Sequence, residues 1–415
     1  MKNAILTGCA VFAGMAAYAE RPNILLILSD DHSADHVGCY GNPDIRTPNI
    51  DRFATQGMIA TRAYVTSPQS APSRASIFTG RSPIAVDMSR FYVPLARHYR
   101  TFPEYLRAEG YYVGVAGRNY HMDCDLNRNN IGNPLEAYYE ANGYRTFPDR
   151  LDLCLAVSVD QENSEAIFAQ YEEFLEKRDK SKPFFLQLSY SDPHRPYTAP
   201  SVHDPVSLTL PPHYPDTELI REDLAAYYDE IHRFDCDFGR VLARLEEEGL
   251  ADNTLVVFMG DNGGAQFMGK GTLYEYGVNV PLIIRWPGKI APGSRTERLI
   301  SGEDLAPTFL AAAGIEPPKE MTGCDIMDTE SNRRYVFAER GAHGKGLPEN
   351  TVNFDLIRCI IGERFKLIYN ATPTIPYEPV DFSHLPMYSE LRAMNENETL
   401  DPKFRKYDPC LSYTI

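Results

Sequence analysis

A nearly continuous apolar run, Asn23-Ile24-Leu25-Leu26-Ile27-Leu28, stops abruptly at Ser29-Asp30-Asp31. A strand with one wet face alternates apolar and polar residues. A strand apolar at almost every position is buried on both faces, as in a parallel sheet covered by helices. Three more short runs repeat the pattern. Residues 111–116 end at Gly117-Arg118, residues 184–190 at Asp192-Pro193-His194, and residues 254–259 at Gly260-Asp261-Asn262-Gly263-Gly264. In open α/β sheets ligands bind beyond the carboxyl ends of the strands. Four polar strand ends are therefore four contributors to one site. Between them lie helical patterns: Pro48 opens one, with Phe53 and Ala54 inward. Residues 224–245 carry apolar positions at helical spacing, closed by Gly249 as a C-cap, and Asp304 caps another helix.

The chain has 415 residues, 43% of them hydrophobic and 24% charged, which excludes disorder as its main state. Eight Cys are too sparse for a disulfide scaffold. The formal charge of −16 disfavours nucleic acid as a partner, and an anionic substrate needs a local cationic pocket working against the overall field. Residues 1–19 read as a signal peptide: Lys2, an apolar stretch, then Ala17-Tyr18-Ala19 as the cleavage site. Without them the charge is −17, and no second apolar span remains. A periplasmic or secreted protein is expected, with lipid anchoring through Cys9 the minor alternative. We divide the remainder into residues 20–327, a large α/β unit, and residues 328–415, a smaller, more antiparallel unit.

The densest signal is Ser70-Ala71-Pro72-Ser73-Arg74-Ala75-Ser76-Ile77-Phe78-Thr79-Gly80-Arg81. Pro72 suits a first helical turn, which places Ser70 at a helix N-terminus favourable to anions, with Arg74 one turn on. Read alone, this is an ordinary capped helix. Likewise, Asp30-Asp31 alone is a helix cap. Two acidic clusters at separate strand ends (Asp30, Asp31; Asp261, Asn262) instead offer oxygen ligands only, which favours a hard cation such as Ca²⁺. His121 and His194, taken singly, are structural histidines.

The Ser70–Arg81 segment resembles the signature of the type I sulfatases, C/S-x-P-S-R-x-x-x-x-T-G-R, at every defined position. The resemblance implies an alkaline-phosphatase-like fold: a large, mixed, mostly parallel sheet sandwiched by helices, with a smaller C-terminal α+β unit. It implies that Ser70 is oxidised to formylglycine by an anaerobic-type maturating enzyme, and that its hydrate attacks sulfur. It implies one Ca²⁺ held by Asp30, Asp31, Asp261, Asn262 and residue 70. Arg74, Lys270 (in Gly269-Lys270-Gly271-Thr272-Leu273-Tyr274-Glu275) and Arg118 would bind the sulfate. His194 or Lys270 would protonate the leaving atom, and His121 would act as the base that releases sulfate. Gly117-Arg118-Asn119-Tyr120-His121 departs from the family's Gly-Lys-x-His by one extra residue and an Arg for Lys.

Within the family, Ser189-Tyr190-Ser191-Asp192-Pro193-His194-Arg195 and Arg364-Phe365-Lys366-Leu367-Ile368-Tyr369-Asn370 are similar to heparan N-sulfatases. That implies a sulfated glycosaminoglycan sugar such as N-sulfoglucosamine. Glu339, Arg340 and His343 are candidates to hold the sugar from the smaller unit, or to form a solvated loop. The family's usual C-terminal segment, with its closing strand and helix, has no counterpart before Ile415. A missing strand would leave an unpaired edge and exposed apolar surface, with reduced stability. Alternatives are an O-sulfatase on another glycan, a phosphatase or phosphonate hydrolase on the same scaffold, and a non-catalytic glycan binder.

Overall fold

The computed structural model describes residues 21–91, 93–118, 120–123, 141–142, 147–156, 163–341, 356–373 and 379–407. Its first strand, β1 (Asn23–Ser29), is buried at every position. Leu25 and Ile27 pack on one face of the sheet, and Ile24, Leu26 and Leu28 on the other. That two-sided burial is why the run is unbroken in sequence. With β2 (Met58–Ala60), β4 (Tyr112–Gly117), β5 (Leu153–Ala156), β6 (Phe184–Ser189), β7 (Thr254–Gly260), β8 (Leu282–Arg285) and β9 (Ser294–Thr296), β1 forms an eight-stranded sheet of order β5-β4-β6-β1-β7-β8-β2-β9. The pairs from β5 through β7 are parallel; β8 runs antiparallel to both β7 and β2. β3 (Ala63–Tyr64) pairs with β10 (Ile300–Ser301) as a separate two-stranded ladder.

Helices α1 (Pro48–Thr55), α2 (Ser70–Thr79), α3 (Phe102–Ala108), α4 (Ser164–Lys177), α5 (Glu218–Glu247) and α6 (Leu305–Ala312) cover the sheet. Ile50 and Phe53 of α1, Phe174 of α4 and Phe234 and Phe238 of α5 lie over Leu25, Ile27 and Phe258. Ile77 and Phe78 of α2, Phe102 of α3 and Phe309 of α6 cover the opposite face. α5 begins six residues before the spacing alone indicates, capped by Thr217, which accepts the Ile220 N–H, and ends just before Gly249 at φ +69°. Asp304 does not cap α6 as expected. Its carboxylate accepts the Ser301 and Cys324 N–H groups and pairs with Arg333, so it closes the turn before the helix.

The three-stranded antiparallel sheet β11 (Val336–Arg340), β12 (Ile357–Ile361) and β13 (Lys366–Asn370) turns Val336, Ala338, Cys359 and Ile361 into the same core as the large sheet. Its other face is mixed, with Glu339 and Arg358 beside apolar residues. Phe337, Leu367 and Tyr369 are exposed there, with Tyr335 and Phe365 beside them. The chain then returns to the main body, where α7 (Pro386–Glu396) packs through Met387 and Leu391 against Leu224 and Ile231 of α5. β12, the central strand of the small sheet, escapes a sequence reading because it is short and Ile360, on its outward side, masks the alternation of Ile357, Arg358 and Cys359.

Candidate active site

The registers Gly117↔Ser189, Leu28↔Ser189 and Ser29↔Gly260 bring the ends of β4, β6, β1 and β7 level. Asp30, Asp261 and Arg118 therefore leave the sheet at one edge. Asp30 N–H donates to Asp192 O at 3.0 Å, Asp261 N–H to Ser29 O at 3.0 Å and Arg118 N–H to Ser189 O at 2.9 Å. Asp31 sits at φ +62°, held by Tyr227 Oη donating to its carbonyl at 2.7 Å and by its own N–H donating to Asp261 Oδ1 at 3.1 Å. Gly263 is needed because a Cβ there would lie 1.9 Å from Tyr276 O.

α2 points its N-terminus at this edge and is buried along its whole length. Ser70 is its first helical residue; Gln69, in extended conformation, occupies the N-cap position assumed for Ser70. Gly80 at φ +65° closes the helix, as Gly in the Thr79-Gly80-Arg81 segment requires. The Ser70 hydroxyl lies 2.9 Å from Asn262 Oδ1 and 3.1 Å from Asp30 Oδ1. One hydroxyl proton cannot serve two acceptors at once. Asn262 is fixed in this orientation because its amide N–H groups donate to Asp31 Oδ1 at 2.8 Å and Gly263 O at 2.8 Å. Three oxygen-bearing groups, Ser70, Asp30 and Asn262, thus converge with a single hydroxyl proton, an arrangement a divalent cation satisfies. The residues present therefore fit a divalent cation. His194 joins Asp30 and Asp31, with one ligand atom from each lying within 4.8 Å of the others, so the convergent set is not oxygen-only as expected.

Basic groups surround these acids. Arg74 Nε donates to Asp261 Oδ2 at 2.9 Å, Nη2 to Asp30 Oδ2 at 3.1 Å and Nη1 to Ser189 Oγ at 2.5 Å and Arg118 O at 3.0 Å. Arg118 Nε lies 3.1 Å from Asp30 Oδ2. Lys270 Nζ bridges Asp31 Oδ1 at 2.9 Å and Asp381 Oδ2 at 2.6 Å. Fully ionised, Asp30, Asp31, Asp261 and Asp381 exceed Arg74, Arg118 and Lys270 by one negative charge. A divalent cation reverses that sign, and only then does the cluster attract an anion.

Burial opposes ionisation of Asp30, yet Arg118 and then Arg74 outweigh it and hold its carboxyl well below the usual range. Burial pushes Asp31 well above that range despite Lys270. Burial and then the Asp30 charge push Asp261 up to about 6. Burial, then Lys270 and Arg118, press His194 down to about 3. That shift favours a neutral ring at neutral pH and weighs against His194 as the proton donor. Since Nδ1 faces the Arg195 carbonyl, which can only accept, Nδ1 carries the ring proton and Nε2 presents a lone pair. For Lys270, burial opposes charge, but Asp31 and Asp381 raise it above its ordinary value.

These shifts set a pH dependence. Ca²⁺ takes deprotonated carboxylates, so its binding must expel the proton held by Asp261 below about 6 and that held by Asp31. Affinity is expected to fall by about tenfold or more per pH unit below pH 6. Calorimetric titration with Ca²⁺ at pH 5, 6 and 7, in buffers of different ionisation enthalpy, counts the protons. A flat affinity across that range contradicts the arrangement.

His121 lies on a short 3-10 turn, Tyr120–Asp123, after β4, buried beside Phe91 and against α2. Glu339 and Arg340 are two of the three residues named as candidates to hold the sugar. They lie within β11 rather than after it, so strand alternation sends them to opposite faces. Arg340 donates to Gly271 O, next to Lys270. Glu339 turns away, accepting Ile84 N–H at 2.7 Å and lying 3.4 Å from Arg358 Nε. His343 lies outside the described residues. Asp381 is the site carboxylate that sequence reasoning missed; it follows no buried strand and belongs to no motif.

A family model described as sulfatase matches residues 22–315, and one described as N-sulphoglucosamine sulphohydrolase, C-terminal, matches residues 263–400. An ulvan-active sulfatase of Formosa agariphila is 28% identical over 92% of this chain and 66% of its own length. Human arylsulfatase A is 30% identical over 76% of this chain and 69% of its own. The chain spans about two thirds of the length of these curated relatives. Among solved structures, a protein in complex with its substrate D-glucosamine-2-N,6-O-disulfate superposes with a TM-score of 0.67 at 21% identity, covering 94% of this chain and 99% of that one.

Proposed function

This chain belongs to the sulfatase family, and on that premise we propose that it hydrolyses the sulfate ester or sulfamate of a glycosaminoglycan sugar of the N-sulfoglucosamine type. The observation that carries the reading is the Ser70 hydroxyl, held between Asp30 and Asn262, with Arg74 and Arg118 both paired to Asp30. The match of residues 263–400 to the C-terminal model of N-sulphoglucosamine sulphohydrolases supports the sugar. So does the glucosamine disulfate bound by a protein of the same fold.

Formylglycine made from Ser70 would supply a hydrated aldehyde, one hydroxyl to attack sulfur and a second whose deprotonation would expel the sulfate and restore the aldehyde. Ca²⁺, held by Asp30, Asp31, Asp261, Asn262 and residue 70, would supply positive charge at the nucleophile and the sulfate oxygens. The chain's own residues do the rest. Arg118 and Lys270 bind the sulfate oxygens and offset the charge that repels a nucleophile. Arg74 clamps Asp30, which faces residue 70, to Asp261. Lys270, the buried charged donor between the ion site and Asp381, gives its proton to the leaving oxygen or nitrogen. Neutral His194 holds a lone pair toward the ion site. His121, beside α2, is the base for release of sulfate. A leader over residues 1–19 would send the protein to the periplasm or medium, after an anaerobic-type maturating enzyme has acted on Ser70.

Mass spectrometry of the tryptic peptide of residues 63–74, from the native host, tests this directly. The expected peptide lacks two hydrogens, and the protein carrying it releases sulfate from N-sulfated sugar in preference to 2-O- or 6-O-sulfated sugar. An intact serine in protein that turns over sulfated sugars overturns the mechanism. Preference for an O-sulfate overturns only the linkage.

A further inference from the structure

Exposure rises outward through the site: the Asp31 and Lys270 side chains are 0% and 3% exposed, that of His194 is 16% and that of Asp381 is 38%. Asp381 therefore stands at the mouth, on the outer side of the lysine that faces the ion site. Its Oδ2 accepts from Lys270 Nζ at 2.6 Å and lies 3.7 Å from His194 Nε2. It is not a loosely held surface acid. Val380 and Phe382 on either side are buried; a Cβ on Gly271 would lie 2.2 Å from Val380 Cγ2, and the Phe382 ring meets Phe267 at 5.3 Å. Between these anchors Asp381 adopts φ +64°, a conformation that side-chain-bearing residues rarely keep without cause. The fold thus spends backbone strain to present one carboxylate at the entrance.

An ionised carboxylate accepts hydrogen bonds and donates none. Beside a sulfate gripped by Lys270, it can face only a donor: a hydroxyl or amino group of the sugar next to the sulfated atom. A second sulfate at that position would meet like charge. The geometry points to Asp381 as the specificity-determining residue of this site, accepting a hydrogen bond from the substituent adjacent to the scissile sulfate and disfavouring an anionic one. This rests on the sulfatase reading above.

The test compares matured, Ca²⁺-loaded wild type with Asp381→Asn, which keeps the shape and tolerates the left-handed backbone. The substrates are a monosulfated glucosamine and its counterpart with a second sulfate on the neighbouring position. Wild type is expected to favour the monosulfated sugar, and Asp381→Asn to lose about tenfold in kcat/KM on it while shrinking the mono-to-disulfate preference by about tenfold or more. Calorimetry with inorganic sulfate should move the other way: with Lys270 relieved of one acid, Asp381→Asn binds sulfate several-fold more tightly than wild type. A merely structural Asp381 would weaken both. An unchanged preference, or weaker sulfate binding, overturns this role while wild-type turnover leaves the sulfatase reading standing. A wild type that releases no sulfate from either sugar overturns the sulfatase reading itself, and with it this role.

Discussion

Ser70→Ala is expected to abolish multiple-turnover sulfate release, by about 10³-fold or more, because a methyl group can neither attack sulfur nor be matured. The same change should leave the fold intact. Ser70 Oγ faces two acceptors with a single proton, so its removal relieves a crowded oxygen cluster rather than breaking a network. Ca²⁺ affinity should fall, since one of the converging oxygens is gone. Thermal unfolding with and without Ca²⁺ separates these effects: the ion-free midpoint stays near wild type, and the Ca²⁺-induced rise shrinks. A companion comparison uses wild type made with and without the maturating enzyme. If serine and formylglycine forms sustain equal multiple turnover, residue 70 is not the nucleophile.

Much of this site is legible in sequence because buried parallel strands write themselves as unbroken apolar runs. Once β1, β4, β6 and β7 are recognised, the residues that follow them, Asp30, Arg118, His194 and Asp261, must share an edge whatever their separation along the chain. What stays hidden is of another kind. Asp381 reaches the site from a segment anchored by Val380 on Gly271 and Phe382 on Phe267, contacts with no periodic signature. The opposed directions of Glu339 and Arg340 follow from β11 running on through Arg340, and strand ends are poorly marked when charged residues sit inside them. The neutrality of His194 depends on burial and on Lys270 and Arg118 arriving from distant strands. Motif matching finds residues; it does not give their protonation.

Arg74 is where stability and chemistry meet most closely. Its guanidinium is 1% exposed and donates to both Asp30 and Asp261, which are themselves fully buried. Removing one partner of a buried ion pair leaves an uncompensated charge, at a cost of about 3–5 kcal/mol. Arg74→Met is therefore expected to destabilise the ion-free protein by about that amount in urea unfolding. Activity should fall by about 10²-fold or more, since Asp30 and Asp261 lose their common clamp. Arg74→Lys should recover only part, because one ammonium cannot span two carboxylates and the Ser189 hydroxyl as the planar fork does. The cost in Arg74→Met is attributed to stranded negative charge rather than to lost packing. Pairing it with Asp261→Asn should then restore stability, giving a double mutant more stable than the sum of the singles by about 1–3 kcal/mol. Ca²⁺ should protect Arg74→Met more than wild type, for the same reason. Simple additivity in that cycle would mean that Arg74 serves the fold through its bulk, and that the acids at the strand ends tolerate one another without it.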